Sequence, residues 1–596
     1  MITIRLLGPP ALERDGEPAR PPRGRKAWAL LCYLVLAERP PARRQLAELL
    51  FADADDPLGA LRWTLAELRR ALRLSDVLGG DPVSTALPPQ VQVDVAALDS
   101  DAGDLRALRG ELLAGVELPA NLEFESWLLV ARHRVSAAIE ARLRQTAVEL
   151  LSTGRVTEAI GYASLAVERN PMEESNHELL VRGFAAAGQR AAALRQVAVC
   201  EDILRRELGV EASPALREAA EVETGSAVGL PLSGRAAAAS QLEAGRAAIG
   251  AGAVEAGMQT LRRAVVEAGR SGDRQLHARA LAALGQALVH AVRGRDAEGS
   301  VVLHEAIELA TLEGDRATAV SAYRVLGFVE VQAGRRRTAD RWLAKAQELA
   351  ETDQELAAIL GVRGMNASDT GDYPGAFAIL DESVTRAARA GDQRQQAWSL
   401  SIAGRAHLLR GERSQAVAAT RRSLDLVREQ RWMAFLPWPQ SLQAELDLDT
   451  GDVDGAADGF EQAWTLGCQL GDVCWQGMAA RGIGLVHARR GDHPAARDWF
   501  DQAAARSISM PDRYQWVYGY ALDASIADAI DRGDHARARP MVEALSALAA
   551  RCEMRELVVR AYLHRCRLGD PAALVSARHL GADIDNPALE DLLRTP

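Results

Sequence analysis

The stretches Gly491-Asp-His-Pro-Ala-Ala-Arg497 and Gly533-Asp-His-Ala-Arg-Ala538 decide the fold of this chain. Each is a turn glycine followed by an alanine-rich segment, the pattern of a second helix that packs closely on a first. Working outward from them, turn glycines recur at Gly294, Gly334, Gly371, Gly411, Gly451, Gly491 and Gly533, spaced 40, 37, 40, 40, 40 and 42 residues. A second series of turns interleaves at Asp273, Asp315, Asp353, Asp392, Asp472 and Asp512, spaced 42, 38, 39, 80 and 40, where 80 is two repeats and puts the missing turn near Trp432. Two turns per repeat predict paired helices of roughly fifteen residues each. Such pairs bury a core only by stacking, which predicts an α-solenoid of seven or eight hairpins with an extended concave surface.

Upstream, residues 97–220 are also helical, with Gly154 and Gly188 each ending one helix and opening another 34 residues apart, the tetratricopeptide period. Asn170-Pro171 falls midway, at the expected inter-repeat turn. Residues 225–235, rich in Gly and Ser and without a helical stripe, read as a linker. The N-terminal segment is different. Ile2–Leu7, Ala11–Arg14 and the Asp15-Gly16 turn suggest a small antiparallel sheet. Helices are predicted over about 26–37, over Arg43–Phe51 and over about 58–73, the last capped by the acidic loop ending at Pro57. Val83–Leu87 and Gln90–Val93, joined by Pro88-Pro89, read as a hairpin. The expected fold class is therefore mostly α: a winged helix (α+β) over 1–96, a helical, tetratricopeptide-like unit over 97–224, a linker over 225–235 and an α-solenoid over 236–596.

Composition narrows the function. With 596 residues, 48% hydrophobic and 25% charged, the chain has ample core and is not disordered. Its net charge of −11 argues against nucleic acid only at first sight, because residues 1–100 hold 13 basic and 13 acidic side chains and residues 20–73 hold 11 against 6. Lys26 and Lys345 are the only lysines, so the positive charge is almost all guanidinium, the better bidentate phosphate ligand. The longest apolar run, Ala27 to Ala37, is too short to span a bilayer, and six cysteines without framework spacing fit a reduced compartment; the expectation is a cytoplasmic protein with no membrane role. There is no G-x-x-x-x-G-K-[ST] and no G-x-S-x-G, and His304-Glu305 lacks a histidine at i+4, so neither an enzyme nor a cofactor or metal is expected. Cys468 and Cys474 straddle a turn and read as packing residues.

Two groups of residues carry chemistry. In helix 58–73, Leu61, Leu65, Leu68 and Leu72 form one stripe, leaving Gly59, Trp63, Ala66, Glu67, Arg70 and Arg73 opposite it, flanked by Arg62 and Arg69. Arg23, Arg25, Lys26, Arg43 and Arg44 lie at the starts of the first two helices, where backbone N–H groups and guanidinium groups hold phosphates together. This constellation predicts duplex DNA as partner, with the third helix in the major groove. The second group is Trp432-Met-Ala-Phe-Leu-Pro-Trp-Pro439, where two prolines are expected to interrupt a helix and leave Trp432, Phe435 and Trp438 lining a pocket for a protein or small-molecule effector.

Leu6-Leu-Gly-Pro9, Arg14-Asp-Gly16, Arg25-Lys-Ala27, Arg43-x-x-Leu46-Ala-Glu-Leu-Leu-Phe51 and Leu68-Arg-Arg-Ala-Leu72 resemble the winged helix of the antibiotic-regulatory-protein (SARP) class of bacterial activators, itself similar to the OmpR-like effector domain. Gly110-Glu-Leu-Leu113, Glu123-Phe-Glu-Ser-Trp127 and Glu207-Leu-Gly-Val-Glu-Ala-Ser-Pro-Ala-Leu216 resemble the bacterial transcriptional activator domain that follows it, and the solenoid is similar to tetratricopeptide-like sensor regions. The resemblance implies a DNA-binding activator that binds promoter DNA as a dimer on direct repeats and recruits RNA polymerase. Two departures stand out: Glu67 on the outward face of the third helix, and a hairpin without Arg or Lys. Both leave open the alternative of an interaction scaffold whose degenerate winged helix does not bind DNA.

Overall fold

The computed structural model describes residues 1–37, 39–84, 86–99, 105–119, 121–221 and 234–594. The chain is mostly α-helical with one small N-terminal sheet. Strands β1 (Ile2–Arg5), β2 (Ala11–Arg14) and β3 (Glu17–Pro18) form an antiparallel meander, and β4 (Val91–Val93) lies parallel to β1 on its other side. Three helices pack with this sheet into one core: α1 (Arg25–Leu36), α2 (Arg43–Phe51) and α3 (Pro57–Leu72). The start of α3 follows from its sequence. Asp56 accepts the Gly59 N–H at 2.9 Å and Pro57 fills the first turn, where a missing N–H costs nothing. Leu61, Leu65, Leu68 and Leu72 are all buried.

Among the described residues, the hairpin expected over 83–93 does not form; Thr85, within its first strand, lies outside them. Val83 is buried and donates its N–H to the Pro41 carbonyl at 2.8 Å, and Ser84 donates to Gly79 at 2.7 Å, so this stretch is a turn held against the loop before α2. Pro88 and Pro89 carry no N–H for a ladder, and Val91–Val93 spends its hydrogen bonds on β1 instead. Among the described residues, no strand lies between α3 and β4.

The second unit consists of α4 (Leu122–Ser152), α5 (Val156–Arg169), α6 (Glu174–Ala186), α7 (Arg190–Ile203) and the short α8 (Pro214–Glu218). Most of the expected linker lies outside the described residues. From Arg235 onward, nine helix pairs follow among the described residues, closed by helix Pro587–Arg594. That exceeds the seven or eight expected, because one pair precedes the series that starts at Gly294, Arg235–Gly250 with Val254–Ser271, and a pair with shorter helices follows Gly533, Arg555–Arg567 with Ala572–Gly581. The series itself has a physical basis. At Gly371-Asp372, Gly451-Asp452, Gly491-Asp492 and Gly533-Asp534 the glycine closes one helix in the left-handed region and the aspartate side chain caps the next; Asp452 accepts the Gly455 N–H at 2.9 Å.

The concave surface is not open and extended, as expected, but largely closed by contacts between distant repeats. Arg405 donates to Asp369 and to the Tyr514 hydroxyl, each at 2.6 Å; Tyr514 in turn donates to Asp369 at 2.8 Å; and Arg336 donates to Asp369 at 2.9 Å and to the Cys552 carbonyl at 3.0 Å. Arg405 is 1% exposed, so the ion pairs are fully shielded from water. Two cavities persist inside, of about 620 and 550 Å³.

The second unit packs onto the solenoid. Helix α4 runs against helices Asp296–Leu312, Arg336–Leu349, His535–Arg551 and Ala572–Gly581. Hydrogen bonds join Ser126 to Ser576 (2.8 Å), Arg341 to Gln145 (2.9 Å) and Arg551 to Glu140 (3.3 Å), and Arg513 reaches Glu173 at 2.6 Å. The 550 Å³ cavity lies in this seam, bordered by Arg144 and Glu173 on one side and Arg335, Arg336 and Arg513 on the other.

Candidate nucleic-acid interface and aromatic cavity

On α3, packing of the leucine stripe fixes what faces outward. Trp63 is 54% exposed, and Arg62, Arg70 and Arg73 are exposed beside it. Arg73 ends the helix in the left-handed region, with its own N–H returned to the last turn. Arg62 lies 3.5 Å from the capping Asp56, a surface pair of little energetic weight. Arg69 is otherwise engaged: its Nε donates to the Val77 carbonyl and its Nη2 to the Leu78 carbonyl, both at 2.8 Å, so it ties down the segment after the helix. Glu67, expected to point outward, is buried. One of its carboxylate oxygens accepts the Arg23 N–H at 3.3 Å and the other lies 2.9 Å from Arg70. It thus binds the lead-in to α1, which the helical wheel alone does not register.

The basic residues at the other helix starts divide the same way. Arg23 and Arg25 are exposed, Arg25 reaching the Glu117 carbonyl at 3.5 Å. Lys26 pairs with Asp53 and sits over the Phe51 ring, 5.3 Å from its centre. Arg43 donates to the Gly80 carbonyl at 2.8 Å, and its backbone N–H binds Asp81. Arg44 is 88% exposed, paired only with Glu48 one turn on. The exposed cations of the set are therefore Arg23, Arg25, Arg44, Arg62, Arg70 and Arg73, with Arg44, Arg62 and Arg70 each beside one carboxylate.

In the solenoid, Trp432, Phe435 and Trp438 line one wall of the 620 Å³ cavity, together with Phe328, Trp398, Trp475 and Tyr514. The rings are interlocked, with centroids 4.5 Å apart for Trp432–Phe435, 5.2 Å for Trp398–Phe435 and 5.5 Å for Trp438–Trp475. The two prolines do not leave these aromatics on an irregular, open backbone. Pro437 begins helix Pro437–Thr450, both prolines fit its first turn, and Trp438 is only 2% exposed; Trp432 is half-buried. The turn near Trp432 is at Arg431, in the left-handed region.

Four basic side chains border the same cavity: His290, Arg293, Arg324 and Arg394. Burial, with Arg324 and Arg293 nearby, pushes His290 down to about 3, so it is neutral. Arg293 pairs with Asp472, and Arg394 stands over the Trp432 ring at 5.6 Å. Cys474 also lines the cavity, with burial pushing its thiol up, and it forms no disulfide with the exposed Cys468. Arg324 is the functional candidate that sequence reading missed; nothing in a chain so rich in arginine singles it out. Among the described residues, no helix is long and apolar enough to cross a membrane, and no group of His, Cys, Asp and Glu has a metal-holding arrangement.

Residues 94–222 match the bacterial transcriptional activator domain. No curated protein matches the chain. Among solved structures, the chain is similar to a Rap protein complexed with competence and sporulation factor (14% identity, 60% of this chain and 90% of that one, TM-score 0.40). It is also similar to NprR in complex with its cognate peptide NprX (11% identity, 52% and 96%, TM-score 0.37) and to Mycobacterium tuberculosis EmbR in complex with a low-affinity phosphopeptide (18% identity, 37% and 64%, TM-score 0.29). The chain thus carries a bacterial transcriptional activator domain, set behind a small α+β unit and ahead of a long series of helix pairs.

Proposed function

We propose that the chain is a DNA-binding transcriptional activator in which residues 1–96 bind promoter DNA, 97–224 act as the activator domain and 236–596 receive a signal. The observation that carries this is the outward face of α3, where Arg62, Trp63, Arg70 and Arg73 stand exposed opposite a fully buried leucine stripe. A helix of 16 residues so presented fits the major groove, with Arg70 and Arg73 on base edges or backbone and Arg23 and Arg44 on flanking phosphates. RNA polymerase is then contacted by the first two units, with self-association on repeated half-sites. No catalytic step is assigned to the chain. The signal enters as an effector in the aromatic cavity. Gln332 borders both that cavity and the seam cavity under α4, which supports transmission from effector to activator domain.

Mobility-shift titration with the DNA upstream of its own operon tests this. Arg70→Ala/Arg73→Ala is expected to weaken binding and flatten the log–log salt slope by about one per lost phosphate contact. Unchanged binding at every salt concentration means that α3 is not the reading helix. The alternative, a scaffold that does not bind DNA, is favoured by the missing hairpin and by the hold of Glu67 on Arg70; absence of any shift at low salt would establish it.

A further inference from the structure

Within the aromatic cavity, Arg324 stands apart. It belongs to helix Arg316–Gln332, is half-buried, and makes no hydrogen bond or ion pair with any described residue. Burial lowers its pKa, and the one opposing charge near it, Asp392, is occupied in capping the next helix through the Gln395 N–H at 2.9 Å. Two further donors bordering the cavity, the Trp438 indole N–H and the Gln332 amide nitrogen, are buried without an acceptor. Buried donors almost always find acceptors, and Trp438 and Gln332 here have none. Glu355, the other carboxylate here, is held by Arg316 at 2.9 Å. The cavity is thus walled by stacked rings, short of acceptors and bordered by two guanidinium groups without a carboxylate partner, Arg324 and, over the Trp432 ring, the more exposed Arg394.

We propose that this cavity binds a small planar aromatic anion, its rings against Trp398, Trp432 and Phe435 and its carboxylate or equivalent oxyanion on Arg324. A volume of about 620 Å³ suits such a molecule of two or more fused rings. The bidentate fork of a guanidinium matches a carboxylate in geometry, and low polarity around it strengthens the pair. This deepens the effector role proposed above and does not depend on DNA.

The test uses the full chain without DNA, titrated with naphthalene-2-carboxylate and with its neutral carboxamide, reading tryptophan emission and calorimetric heat. The carboxylate is expected to quench emission saturably and to bind roughly tenfold or more tightly than the carboxamide. Arg324→Gln is expected to abolish that preference, and Arg324→Lys to keep part of it. No saturable binding of the carboxylate up to about 1 mM, or equal affinity of acid and amide in the native chain, overturns the proposal whether or not a variant folds. Equal preference in the native chain and a folded Arg324→Gln variant overturns it as well. A chain that binds the carboxylate yet shifts no promoter fragment counts against the regulator role alone.

Discussion

Arg69 and Arg70 are neighbours on α3 and chemically identical, yet one closes a loop and the other faces solvent. Arg69→Ala removes two charge-assisted hydrogen bonds to the Val77 and Leu78 carbonyls and is expected to destabilise the N-terminal unit by about 1–3 kcal/mol, read as a lower urea midpoint. Arg73→Ala, at an exposed helix end, is expected to leave that midpoint in place and change only DNA affinity. The outward identity of Arg62, Trp63, Arg70 and Arg73 was legible in the sequence because helical periodicity alone determines it. The inward turn of Glu67 was not, since it depends on where the lead-in to α1 crosses the helix. Arg324 was equally illegible: what marks it is the lack of a partner, and partners come from distant repeats.

At the scale of the helix pair, one packing rule recurs. A small residue on the first helix of a repeat receives a larger one sixteen positions on: Gly364 meets Leu380 and Gly404 meets Thr420. A β-carbon at Gly404 would lie 2.5 Å from the Thr420 hydroxyl and 3.2 Å from its backbone nitrogen, so Gly404→Ala is expected to cost about 1–3 kcal/mol and lower the melting temperature. The caps are smaller levers; Asp452→Ala is expected to cost about 1 kcal/mol by the same melt. Helix pairs were readable because their turns are local, a left-handed glycine followed by a capping aspartate. The hairpin after α3 was misread because period-two alternation in Val91–Val93 announces a strand without naming its partner, and β1 outcompeted the segment before it.

Across the whole molecule, the closure of the concave face and the docking of α4 had no sequence signal, since superhelical pitch, not any single repeat, brings Arg405 to Tyr514. This closure is expected to depend on pH. Near the seam, Asp512 accepts the Asp296 backbone N–H at 2.9 Å, and burial together with Glu178 on α6 pushes Asp512 up to about 6; Asp296 is raised by burial and by Asp512. A carboxyl whose folded pKa lies above its unfolded value of about 3.9 favours the folded state most below that value and loses this contribution as pH rises through about 6. Asp512→Asn, which keeps an acceptor and removes the charge, is therefore expected to raise the melting temperature at pH 7.5 and to flatten its dependence between pH 5 and 7.

The bond between Ser126 on α4 and Ser576 near the far end joins residues 450 positions apart. At roughly 5–20 residues per second of synthesis, α4 leaves the ribosome about 20–90 s before the last helix that covers it. For that interval the side of α4 that will face the solenoid is bare on a nascent chain, and the activator domain acquires these surroundings only once the helix that carries Ser576 has emerged.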